Sequence, residues 1–306
     1  MAPPAAPRTV CVMDASGGIG STLVHTLLNR GYTVHAAIQN HGNLQYFDGK
    51  SLNKKKLRVF HADLFDYQSI MEALKGCDGL FYCFEPPSDQ PSYDVRHRLT
   101  AKEFMADVEV RAAHNVLEAC AQTETITKVV FTSSVTAVIW NEHRRDTLSD
   151  VDERNWSDIN FCRKFKLWHA LSKTLAEKAA WALAMDRGIN MATINGGLLM
   201  GGPDLTITNP YLKGAAEMYE DGVFAIVDLR LMVDAHICVF EDISAYGRYL
   251  CFSHIISCNE DAVELAHTLL PTSESSLPQG LEAARVKQRI SSKKLNKLMV
   301  GYDNEL

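Results

Sequence analysis

A doubly wound α/β fold, with a parallel sheet and a smaller C-terminal lobe, is predicted by three features of this 306-residue sequence. Residues 9–30 read TVCVMDASGGIGSTLVHTLLNR. There an apolar, β-rich run meets a turn of small residues, and an amphipathic helix follows with Ile19, Leu23, Leu27 and Leu28 on one face. Strand-like and helix-like segments then alternate as far as residue 200, the pattern of βαβ units. The strand-like runs are apolar almost throughout, as at 79–84, which reads as burial on both faces of a parallel sheet.

The elements follow in order. Gly31 is placed to end the first helix. A second strand is expected at 33–38, a third at 57–62 running into Asp63-Leu64, a short helix at 67–74 and a fourth strand at 79–84. The polar loop from Glu85 to about residue 98 is either a pocket wall at the carboxyl edge of the sheet or a surface connection. A helix at 108–121 leads to a fifth strand at 128–132, followed by Ser133-Ser134. After an irregular charged stretch at 140–166, a helix at 167–185 carries His169 and Lys173 four residues apart on one face. The sixth strand, 190–195, ends at Gly196-Gly197. Beyond residue 200 the alternation stops: a loop at 203–210, helices at 213–220 and 233–240, a strand at 249–256, a helix at 261–269 and a basic tail at 292–298. The expected division is a flexible tail over 1–8, a Rossmann-type dinucleotide-binding domain over 9–198 and a substrate-binding lobe over 199–306 packed on it.

Composition narrows the partners. The chain is 46% hydrophobic and 22% charged, ordinary for a globular protein, and its net charge of −6 argues against nucleic acid or an anionic membrane surface. No apolar run is long enough to span a bilayer, and the opening MAPPAAPR lacks the apolar core of a signal peptide. Eight cysteines without a CxxC pair suggest reduced thiols in a cytoplasmic protein and no metal site. A small-molecule partner is expected, with the chain a monomer or a homodimer.

The turn after the first strand carries the first chemical signal. Asp14, Gly17 and Gly20 stand three apart, the spacing of a dinucleotide fingerprint with Asp14 in the first glycine's place. Gly17 and Gly20 let a pyrophosphate approach backbone N–H groups at the positive end of a helix. An aspartate tolerates a tight turn, but its charge opposes phosphate. Asp14 is thus read as a helix cap (a role open to Ser16 too) or as an acceptor for a ribose hydroxyl. At the end of the second strand, where an acidic residue favours NAD and an arginine NADP, stands Gln39, a ribose ligand or a polar strand end facing water.

These pieces resemble the extended short-chain dehydrogenase/reductases, and within them the plant branch of cinnamoyl-CoA and dihydroflavonol reductases. The resemblance rests on Gly17-Gly18-Ile19-Gly20, Ala62-Asp63-Leu64, NVLEAC at 115–120, VFTSS at 130–134, WSDINFC at 156–162, WHALSK at 168–173, GRYLC at 247–251 and KKL at 293–295. It points to a divergent subgroup with an aspartate in the glycine motif and a histidine in the catalytic motif. The resemblance implies NAD(P)-dependent reduction of a carbonyl or thioester on a phenylpropanoid-like aromatic molecule. It places NADP or NAD against Asp14, Ser16, Gly17, Gly18, Ile19, Gly20, Gln39, Asp63, Leu64, Lys173, Asn195, Gly197 and Leu198. Ser134 matches the serine that hydrogen-bonds the carbonyl oxygen, and Lys173 the lysine that holds the nicotinamide ribose. His169 stands where the family has its proton-donating tyrosine, and Gly196 where it has a proline. Two other readings stand beside the reductase: a pseudoenzyme that keeps the fold to bind a ligand or a protein, and non-redox chemistry with His169 as base.

Overall fold

The computed structural model describes residues 8–39, 55–85, 98–142, 150–201, 205–270 and 286–302. The N-terminal tail, the loop after Glu85 and parts of the stretches expected at 140–166 and 203–210 lie outside the described residues. The chain runs β1 (Thr9–Met13), α1 (Gly18–Asn29), β2 (Thr33–Ile38), β3 (Leu57–His61), α2 (Tyr67–Leu74), β4 (Gly79–Tyr82), α3 (Arg98–Ala121), β5 (Lys128–Ser134), α4 (Ile159–Lys164), α5 (Trp168–Arg187) and β6 (Met191–Gly196). It continues with β7 (Leu198–Met200), α6 (Ala215–Glu220), β8 (Ala225–Asp228), α7 (Leu229–Glu241), β9 (Gly247–Cys251), β10 (His254–Ile255), α8 (Asn259–Leu269) and α9 (Lys293–Tyr302).

Seven strands form one parallel sheet in the order β3-β2-β1-β4-β5-β6-β9. The period-2 alternation of side chains sorts each strand between two cores. Val10, Val12, Phe81, Val130 and Ile194 join the cluster under α1 and α7, whereas Cys11, Met13, Leu80, Tyr82, Val129 and Phe131 join the cluster under α2, α3 and α5. A second, three-stranded sheet, β10-β8-β7, sits over a third cluster that includes Trp140, Tyr211 and Phe224. Among the described residues no helix is long and apolar enough to cross a membrane.

Several sequence expectations change, and the stretch expected to be irregular at 140–166 contains α4, capped by the Asp158 carboxylate, which accepts from Phe161 N–H. The run expected as one strand at 249–256 is two: β9 joins the main sheet beside β6, and β10 pairs with β8 after Ser253 N–H turns to the Ile226 carbonyl. A strand-like run carries no sign of which sheet each half enters. The basic tail is part of α9, because Leu295, Leu298 and Met299 recur at helical spacing and pack on the α1/α7 core. β5 continues through Ser133 and Ser134. The stretch beyond residue 198 therefore supplies the small sheet and also an edge strand of the main one.

Candidate functional site

From β1 the sheet grows outward through β2 and β3, then reverses and grows the other way from β4. The crevice between the carboxyl ends of β1 and β4 is the place where such sheets take ligands. Asp14 opens that edge with φ +62°, a left-handed conformation that aspartate tolerates better than most residues. Its carbonyl is so close to α1 that a Cβ on Gly20 would stand 2.1 Å from the oxygen, so only glycine fits there. The Asp14 carboxylate accepts from Ser16 Oγ at 2.6 Å and from Gln39 Nε2 at 3.4 Å. Asp14, Ser16 and Gln39 are thus brought together across the ends of β1 and β2.

Among the described residues the helix cap expected of Asp14 or Ser16 is not made: Gly17 stands at the N-cap of α1 without a side-chain cap bond, and the side-chain bonds of the first turn run from Ser21 and Thr22 to the Gly18 carbonyl. Both side chains are turned to each other instead. The first-turn amides behind Gly17, Gly18 and Ile19 keep their donors for another acceptor. Ile19 itself points into the core, and Gly17 has open space where a Cβ would be. Asp63 and Leu64 follow β3, two strands from β1. The Asp63 carboxylate accepts from Phe65 N–H at 2.9 Å, and the Leu64 carbonyl accepts from Asn115 Nδ2 at 2.9 Å.

The other end of the edge holds the expected catalytic residues. Ser134 Oγ accepts from Thr136 N–H at 3.2 Å and from Thr136 Oγ1 at 3.0 Å, which leaves its own proton to donate. Its carbonyl accepts from Asn195 Nδ2 at 3.2 Å. Gly197 follows β6 with N–H bonded to the Cys251 carbonyl at 3.0 Å, and Leu198 is buried at the start of β7. His169 lies in the first turn of α5, its ring 6.1 Å from that of Tyr211. Burial first, and then the charge of Lys173, lower its pKa to about 3, so the imidazole is neutral at physiological pH. One turn on, Lys173 is buried with Nζ 2.8 Å from Glu109 and 3.8 Å from Glu85. Burial works against the ammonium, but Glu109 and then Glu85 outweigh it and hold its pKa above the usual lysine value.

Tyr82 Oη, His169 Nε2 and Asn195 Oδ1 are buried polar atoms that find no hydrogen-bond partner among the described residues. Leaving such a group unpaired costs about 1–3 kcal/mol. All three come from residues at or beside the carboxyl edge of the sheet.

Two buried networks support this edge. The Glu177 carboxylate, wholly buried on α5, accepts from Ser133, Thr193, Asn195 and Arg248. His236 on α7 meets the Met232 carbonyl with Nδ1 at 2.7 Å, so Nδ1 carries the proton and Nε2 accepts from Thr132 Oγ1 at 2.8 Å. Burial lowers its pKa to about 4, against a weaker upward pull from that carbonyl. Both His169 and His236 are neutral in the fold and protonate nearer 6.5 in the unfolded chain, which therefore binds more protons in between. Stability is full above about pH 6.5 and falls with acidification by up to about 1.4 kcal/mol per unit for each histidine. Urea unfolding at about pH 7.5 and about pH 5 will show a lower midpoint at the acid value. Equal midpoints would contradict the burial of both rings.

Glu85, Glu109, Glu177 and Arg248 were missed by sequence reasoning. A signal was present for two of them. Glu109 falls on the stripe Ala106, Ala113, Val116 of α3, and Glu177 on the stripe Ala170, Ala180, Ala184 of α5. A carboxylate at a core position of a helix calls for a buried cation or several donors. All eight cysteines are buried free thiols, and burial pushes Cys83, which follows β4, up to about 12, too high for a nucleophile.

The 3-beta hydroxysteroid dehydrogenase/isomerase family matches residues 11–195. Cinnamoyl-CoA reductase 1 of Petunia hybrida is 37% identical over 276 residues, which cover 86% of this chain and 78% of that protein. The bifunctional dihydroflavonol 4-reductase/flavanone 4-reductase of Malus domestica is 33% identical over an alignment of 316 positions, gaps included, that covers 97% of this chain and 86% of that one. Vestitone reductase from alfalfa superposes with a TM-score of 0.71 at 27% identity over 95% of this chain and 91% of that one. Yeast methylglyoxal/isovaleraldehyde reductase, solved with NADPH, shares the fold with a TM-score of 0.73 at 18% identity over 95% of this chain and 93% of that one. The chain belongs to this 3-beta hydroxysteroid dehydrogenase-like family of extended short-chain dehydrogenase/reductases, with cinnamoyl-CoA and dihydroflavonol reductases as its homologues.

Proposed function

We propose that this chain is a nicotinamide-dependent reductase of a carbonyl or thioester on a phenylpropanoid-like small molecule, preferring NADH to NADPH. The observation that carries this reading is the carboxyl edge. At one end an uncapped α1 begins behind the Gly17–Gly20 turn, and at the other Ser134, His169 and Lys173 share the edge with three unpaired buried polar atoms. The turn fits a pyrophosphate, because Gly20 permits the close approach of β1 and α1 and the N-cap of α1 is a glycine without a side-chain cap bond. A bound nicotinamide would supply hydride to the carbonyl carbon. The relatives named above as cinnamoyl-CoA and dihydroflavonol reductases support the substrate class.

The residues then divide the work as follows. Ser134 gives its hydroxyl proton as a hydrogen bond to the substrate oxygen. His169, neutral down to about pH 3, donates a hydrogen bond to the substrate oxygen through its ring N–H and does not act as an imidazolium acid, so the proton that turns the alkoxide into an alcohol comes from solvent water. Lys173 on α5, with Asn195 on β6 and Gly197 and Leu198 just after it, holds the nicotinamide ribose end. The Asp14–Gln39 pair faces the adenosine end with a carboxylate, which accepts from a ribose 2′-hydroxyl and repels a 2′-phosphate. One observation favours the pseudoenzyme reading: a ring with pKa about 3 stands where the family has its acid.

Titration of the purified protein with each cofactor, followed by tryptophan fluorescence, tests the proposal. NADH is expected to bind in the micromolar range and NADPH at least about tenfold more weakly, a difference of about 1.4 kcal/mol, with the gap narrowed in Asp14→Gly. Absence of binding of either cofactor at about 1 mM, weaker than about −4 kcal/mol, would overturn it. If the cofactor binds without turnover and His169→Tyr gains turnover, the pseudoenzyme reading replaces the reductase.

A further inference from the structure

Glu109 is 1% exposed, on the side of α3 that packs against α5. One of its oxygens meets Lys173 Nζ at 2.8 Å, and the other accepts from Ser172 Oγ. Consecutive residues of α5 thus grip both oxygens of one carboxylate from α3. Lys173 has a second acidic neighbour, Glu85, but that side chain is 59% exposed and 3.8 Å away. Water screens such a contact. Glu109 is therefore the counter-ion that makes a buried ammonium tolerable at this edge. It also removes the freedom of a side chain with four rotatable bonds and three equivalent donors.

We propose that Glu109 is a positioning residue. It anchors Lys173 in the charged form at the nicotinamide ribose end, and it acts on cofactor affinity through that lysine. The other titratable groups around the pair are Glu85 and Cys83 after β4, Tyr82 on β4 and His169 on α5. None of them supplies a second buried negative charge at neutral pH. The consequence for affinity rests on the proposed nicotinamide site; the anchoring of Lys173 does not.

The test compares wild type with Glu109→Gln, Glu109→Asp and Glu85→Gln. Lysine labelled with 13C at Cε is titrated by NMR, the Lys173 signal being assigned by its loss in Lys173→Arg, and NADH binding is measured across the same pH range. In Glu109→Gln the Lys173 midpoint is expected to fall by at least about one unit, and NADH affinity to drop about tenfold, steepening as the lysine loses its proton. Glu109→Asp restores the midpoint better than the affinity, and Glu85→Gln moves the midpoint less than Glu109→Gln. If Glu109→Gln does not fold, the Asp and Glu85 variants carry the comparison. An unmoved midpoint would overturn the anchoring. A moved midpoint with unchanged affinity and pH profile would overturn the positioning role. If wild type binds no cofactor, the nicotinamide reading falls, and the lysine titration alone decides whether Glu109 is the anchor.

Discussion

Arg248→Ala is expected to lower the free energy of unfolding by about 3–5 kcal/mol. The reason is the carboxylate it leaves behind. Glu177 is wholly buried, with Arg248 Nε at 2.7 Å and Nη2 at 3.4 Å as its cationic partner. Ser133 at 2.7 Å, Asn195 at 2.7 Å and Thr193 at 3.0 Å complete the shell, but they are neutral dipoles and cannot balance a full charge. The guanidinium also donates through Nη1 to the carbonyls of Glu153 and Asn155, and its Cζ lies 3.7 Å from the centre of the Trp156 ring. The alanine variant loses these contacts as well. Arg248→Lys returns the charge without the planar fork and recovers only part of the loss. Urea unfolding of the two variants beside wild type measures both effects. A loss below about 1 kcal/mol for the alanine variant would mean that Glu177 needs no cation.

Lys173→Met is the second large effect, because it acts on stability and on function together. The methionine fills much of the lysine stem's volume, so the change isolates the charge. Glu109 is then left buried with Ser172 as its one remaining partner in the pair described, at a cost of about 3–5 kcal/mol. The same substitution removes the donor proposed for the nicotinamide ribose, and on that proposal NADH binding and turnover are expected to be lost. Unfolding by urea and a fluorescence titration on the folded variant separate the two. Unchanged turnover in the variant would exclude the assigned role of Lys173.

Local order was legible in the sequence wherever one segment determines it. The β1–turn–α1 unit could be read because the apolar run, the small residues and the helical stripe are contiguous. The same local logic placed an aspartate in a turn that it enters at φ +62°. His169 and Lys173 followed from the family resemblance, and the α-helical period put them on one face. What could not be read was the partner of each charged group. Glu109 meets Lys173 across 64 positions, and Glu177 meets Arg248 across 71, since these contacts are created when α3, α5 and β9 assemble. The division of 249–256 between two sheets failed to show for the same reason: β-pairing is a property of two segments, and sequence periodicity belongs to one. The missing cap on α1 depended on Gln39 and Ser16 turning toward Asp14, a choice among equivalent local bonds.

The place of β9 has a consequence for synthesis. β6 is made about fifty positions before the strand that covers its outer edge. A nascent chain that has emerged through β6 presents an unpaired apolar strand edge, with the Glu177 carboxylate still lacking its guanidinium. Until residues 247–251 leave the ribosome, the half-built sheet is a template for any neighbouring strand, and this is the interval in which the chain depends most on protection from aggregation.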